Sequence, residues 1–130
     1  MKRTILLISL FSVFAAISAA QDDAAYSTAM KTVSAANMPL RAAVTAKDTG
    51  AAAAEATKMV GAFDTVIAYW KAKNADDAVK LAVTAHDAAK TIADSKDADA
   101  QAAALTTLSG TCMACHSAHR AGGRGAFTIK

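Results

Sequence analysis

The chain has 130 residues, 54% of them hydrophobic and 5% aromatic, with a formal charge of +3 at pH 7. Residues 1–20 hold two of the 14 Lys+Arg and none of the 11 Asp+Glu, so the remaining 110 residues carry a charge of only +1. A balance this close to neutral argues against a nucleic-acid or membrane-surface partner, and the length suits one domain with one core.

The first twenty residues read as a leader. Lys2 and Arg3 precede an apolar run from Ile5 to Ile17, and Ser18-Ala19-Ala20 supplies small residues before polar Gln21-Asp22-Asp23. This is the three-part pattern of an export signal, shorter than the roughly 20 unbroken apolar residues that span a bilayer. The expected organisation is a signal peptide over 1–20 and a single domain over 21–130, exported to the periplasm, with no membrane insertion after cleavage.

Beyond Gln21, alanine, the best helix former, dominates, and no stretch shows the sustained alternation of a strand. A first helix is expected from about Asp22 to Lys47, with Tyr26, Met30, Val33, Leu40 and Val44 on one stripe. Pro39 should kink or divide it, because proline removes a backbone donor. A second helix runs from Ala51 to Lys73 with Ala52, Ala56, Met59, Phe63, Ile67 and Trp70 in register. Asn74 reads as the N-cap of the third, whose first turn holds Asp76 and Asp77. Ala78, Leu81, Ala85 and Ile92 line one side of that helix, and Ser95-Lys96-Asp97 ends it. The fourth starts near Ala98 and stops at Gly122-Gly123. The tail Ala121–Gly125 should be a loose ending, with Phe127 and Ile129 against the helices. Four helices with short connections give an all-α, antiparallel up-down-up-down four-helix bundle.

The chemistry lies in Cys112-Met113-Ala114-Cys115-His116, a C-x-x-C-H sequence. Residues three apart on a helix share a face, so both thiols can bond the two vinyl groups on one porphyrin edge. The adjacent imidazole is then held against the iron. A thioredoxin-like pair would need a helix start in a βαβ setting. A zinc site would need four ligands, for which His119 and His86 would have to be recruited. The expectation is one covalent haem c near one end of the bundle, with Cys112 and Cys115 as thioether residues and His116 as axial iron ligand.

Only 14 residues follow His116 and none is methionine, so whatever covers the other haem face must come from upstream. His116 lies roughly 9 Å from its end of the bundle and Met30 roughly 12 Å from the same end. Met38, Met59 and His86 fall roughly 18 to 24 Å up. Met30 is therefore the candidate sixth ligand, or a residue packed over an open iron face. His119 should lie near the haem edge and His86 should face solvent. Trp70, level with the haem, is a candidate pocket residue, and Tyr26 lies one turn before Met30.

A haem motif on the last helix, with Arg120 four residues after His116, resembles the class II c-type cytochromes. These comprise cytochrome c′ and its low-spin, methionine-ligated relatives. The resemblance rests on Cys112, Cys115, His116, Arg120 and a methionine early in the first helix, matched by Met30. It implies that Arg120 lies close to the haem ligand and propionates, and it is compatible with a homodimer. The chain departs from many members in having Tyr26-Ser27-Thr28-Ala29 where they carry an Arg-Gln pair before the methionine. The function expected is one-electron transport between redox partner proteins, not an enzymatic activity. The alternative is a five-coordinate haem that binds nitric oxide or carbon monoxide, and the third is a haem-free dithiol or metal-binding module.

Overall fold

The computed structural model describes the backbone of residues 2–122 and 128–130 and the side chains of 22–122 and 128–130. The side chains of residues 1–21, and Gly123, Arg124, Gly125 and Phe127 of the tail, lie outside the described residues. The described residues form four helices, α1 (Lys2–Thr45), α2 (Thr49–Ala72), α3 (Asp76–Asp94) and α4 (Ala98–His119), followed by a short strand pair. Each connection is three residues long, which turns every helix back along its predecessor and produces the four-helix bundle. Among the described residues, no helix is long and apolar enough to cross a membrane.

The helix ends follow from local chemistry. At the end of α1, Lys47 takes a left-handed conformation (φ 55°), and the Asp48 N–H donates to the Ala43 carbonyl at 3.0 Å. Asp48 then caps α2, its carboxylate accepting from the Ala51 N–H at 2.9 Å. Asn74 does not cap α3. It sits at φ 55° past the end of α2, and the following N–H, that of Ala75, donates to the Trp70 carbonyl at 3.2 Å. Asparagine tolerates the left-handed region, so it terminates one helix rather than starting the next. Asp97 caps α4 through the Ala100 N–H at 2.7 Å.

Pro39 divides nothing: α1 runs through it. The proline is exposed, while Ala36, Leu40 and Ala43 on the opposite face are buried, and that packing offsets the one lost hydrogen bond. At the other end of the chain, α4 stops at His119, before the glycines. Arg120–Ala121 (β1) is extended and pairs antiparallel with Thr128–Ile129 (β2), Arg120 opposite Ile129. The Lys130 N–H donates to the His119 carbonyl at 2.9 Å, so the described tail is tied to the end of α4 instead of hanging loose.

Twelve of the 21 buried apolar residues are alanine, so the core depends on a few large side chains, chiefly Trp70, Leu40, Met59, Phe63, Ile92 and Leu108. Val33, Ala52, Ala56, Met59, Phe63 and Ile92 are buried as the periodicity predicts. α1 packs on α2, α2 on α3 and α3 on α4, whereas α1 and α4 touch far less, leaving a seam between the first and last helices.

At the end opposite the Cys-Met-Ala-Cys-His sequence, Gln101 joins three segments. It is 1% exposed, and its Nε2 donates to the carbonyls of Thr49 (3.1 Å), Ile92 (3.0 Å) and Ser95 (3.1 Å). Gln101→Leu leaves those carbonyls without this donor, and the expected cost is about 1–3 kcal/mol. Urea denaturation should show a lower midpoint with an unchanged slope.

Candidate functional site

The α1–α4 seam opens into a cleft of about 600 Å³. One wall comes from α4: Leu108, Ser109, Cys112, Met113, Cys115, His116 and His119. The other comes from α1: Tyr26, Met30, Val33, Ser34, Asn37 and Arg41. Arg120, Thr128 and Ile129 close one end, so the short strand pair serves the cleft. On each helix the lining residues recur every three or four positions, which is one helical face.

The sequence candidates thus converge. Cys112, Cys115, His116, Arg120 and Met30 all line this one cleft, and His119 and Tyr26 lie in it as well. Trp70 does not. It is 2% exposed and sits behind the wall, its ring 5.7 Å from that of Tyr26 and 4.9 Å from that of His119. It supports the lining rings because position 70 of α2 faces the bundle core. His86 also departs from expectation. It is half-buried, with Nε2 3.4 Å from Asp64 and Nδ1 3.1 Å from Asp87, because it bridges α2 and α3.

Electrostatics distinguish these groups. Burial pushes both thiols above their ordinary range; for Cys115 the neighbouring Cys112 and Asp77 add to it. At neutral pH both are protonated thiols, unlike the lowered thiol of a dithiol exchange site. Burial, assisted by the Arg120 charge, holds His116 below the ordinary histidine value, which favours the neutral imidazole a metal requires. Arg120 Nη1 lies 3.4 Å from His116 Nδ1, which sets a positive charge beside the imidazole. Burial and the nearby Cys115 raise the Tyr26 hydroxyl to about 12, so it remains an O–H donor inside the cleft.

Asp77, at the start of α3, accepts from His119 Nε2 at 2.8 Å and fixes the ring that packs, tilted, against Trp70. Its carboxyl is held below the usual value, first by the Ala78 backbone N–H and then by His119. A depressed acid stabilises the fold above its unfolded value, about 3.9, and that contribution is lost as the pH falls through the folded one. Asp77→Asn should therefore flatten the loss of stability on acidification below about pH 4, as read from thermal midpoints across that range.

Arg41 was not legible as a site residue. Its Nη2 donates to Ser109 Oγ at 2.7 Å across the cleft, and its Nε donates to Asn37 Oδ1 at 3.3 Å. The 3–4 spacing that joins Met30, Ser34, Asn37 and Arg41 was the available signal, obscured because the positions beyond Met30 are polar.

No protein-family model, curated protein or solved structure matches the chain.

A haem fits this donor set and this space. The volume is that of a small-molecule site, its walls offer Tyr26, Met30, Val33, Met59 and Leu108, and imidazole and thioether are established ligands of haem iron. The described residues contain no group of three or more His, Cys, Asp and Glu side chains arranged to hold a bare metal ion.

Proposed function

We propose that this chain is an exported c-type cytochrome with one covalently bound haem, and that it carries single electrons between redox proteins of the periplasm. The observation that carries this reading is that Cys112, Cys115 and His116 line one wall of a single cleft and Met30 lines the other. When bound, the haem supplies a one-electron iron couple. Cys112 and Cys115 would hold it through two thioether bonds, neutral His116 would supply a nitrogen ligand to the iron, and Met30 would offer a thioether sulfur as a second ligand. The apolar side chains of Val33, Met59 and Leu108 would exclude water, and Arg120, beside His116, would offer a positive charge to the group's carboxylates.

The test is the visible spectrum of the mature protein, oxidised and reduced, produced in a host with haem-attachment machinery. Sharp, split bands on reduction that disappear in Met30→Ala are the expected result. Broad bands that sharpen only when carbon monoxide is added would replace the carrier reading with a five-coordinate, gas-binding one.

A further inference from the structure

The charges of this chain are segregated along the sequence. Nine of the 11 acids lie between residues 48 and 99, which span α2, α3, their connections and the first two residues of α4, and the other two are Asp22 and Asp23. Residues 24–47 and 100–130, which supply both walls of the cleft, contain no acid at all. The near-neutral total therefore conceals two faces of opposite sign. Around the cleft stand Lys31 and Arg41, both exposed, with Lys130 beside the lining residue Ile129. Two acids adjoin the lining and both are engaged: Asp23 accepts from the Tyr69 hydroxyl at 2.9 Å and lies 3.7 Å from Lys73 Nζ, and Asp77 accepts from His119 Nε2 at 2.8 Å.

The same rim exposes apolar side chains. Met113, between the two cysteines, is 72% exposed and Ile129 is 40% exposed. They account for two of the four large hydrophobic residues exposed among the described side chains. Exposed apolar atoms ringed by charge of one sign are what a brief, electrostatically steered protein encounter uses.

Resting on the function proposed above, we propose that this rim, formed by Met113, Ile129, Lys31, Arg41 and Lys130, is the docking face for a redox protein that presents an acidic patch. A protein partner fits better than an anionic lipid surface. Lipid-binding cations come as contiguous clusters of about four to eight, whereas these three are spread over one helix and the tail. The contact is small and short-lived, as electron-transfer encounters are. Cations at its edge set how often the partners meet rather than how long they stay.

The experiment measures electron transfer from the haem-loaded, reduced protein to an acidic blue-copper protein by stopped flow. The rate constant should fall at least about tenfold as ionic strength rises from about 10 to about 200 mM. Lys31→Glu/Lys130→Glu should lower the low-salt value about tenfold and flatten its salt dependence, while Lys90→Glu/Lys96→Glu, on the α3 side, should stay within about twofold. Amide chemical-shift changes on adding the same partner should cluster in 24–47 and 109–130, and this readout does not depend on haem loading. A salt-independent rate, equal losses in the two double variants, or shift changes centred on α2 and α3 would overturn the proposal. So would co-sedimentation with phosphatidylserine vesicles at physiological salt that the Lys31→Glu/Lys130→Glu variant loses. If the chain carries no haem, the absorption spectrum reports it before any mixing, and the shift map still reads the docking face.

Discussion

Cys112→Ala/Cys115→Ala should abolish covalent haem altogether, which a haem stain of a denaturing gel and the intact mass of the mature protein would both show. The two thiols lie one turn apart on α4, both on the wall of one cleft, and both are held in the protonated form by burial. Each can make one thioether bond, so either single substitution should leave a stained but weaker band, and only the double variant should leave none. His116→Ala separates attachment from ligation: the stain should persist while the visible bands change. A wild-type mature protein whose mass equals that of its polypeptide alone would remove the basis for this reading. The cysteines would then need another role, and their raised values argue against thiolate exchange at neutral pH. Because a bound group stabilises only the folded state, the double variant should also melt at a lower temperature than the loaded protein. The loss should be felt along the α1–α4 seam, where direct helix contact is sparse.

The bundle was legible because three independent signals agreed: alanine-rich composition, a three-to-four-residue apolar stripe in each helix, and breaks of three residues. That Cys112, Cys115 and His116 would share one wall was legible because their spacing carries its own helical geometry. What escaped sequence reasoning depends on long-range partners. Asn74 has the composition of an N-cap, yet its place in the turn after Ala72 makes it a terminator. Pro39 has the intrinsic signal of a helix break, and burial of Leu40 and its neighbours overrides it. Trp70 was assigned to the right end of the bundle but the wrong layer. Helical rise fixes height along the axis, whereas whether a ring reaches the cleft or stands behind Tyr26 depends on how three helices pack. Spacing puts Arg41 on the face of Met30, but not its partner Ser109, 68 residues away, and Ile129 enters the site through a strand pair of two residues that no periodicity encodes. Met30 lines the cleft because the antiparallel topology brings residues 26–41 of α1 alongside 108–119 of α4.

Leu40→Ala should be among the most destabilising single substitutions outside the cleft, at about 2–5 kcal/mol. Leu40 has no exposed surface and does not line the cleft, so its loss acts through packing alone. In a leucine-rich core a neighbour can relax into the space. Here most buried residues are alanines, which have no side-chain torsion with which to fill it, so the cavity stays open and the cost belongs in the upper half of that range. For a domain of this size the thermal midpoint should fall by on the order of 10–20 °C. Leu40→Met, which keeps the volume in a flexible form, should lose less than about 1.5 kcal/mol. The two should also differ in how they respond to the cleft. Because Leu40 lies off the seam, Leu40→Ala should lower the loaded and the haem-free protein by the same increment, as expected for sites that share no partner. If the loss were much larger in the haem-free chain, the core and the cleft would be one packing unit, and the haem would then be completing the thin alanine interior as well as carrying the electron.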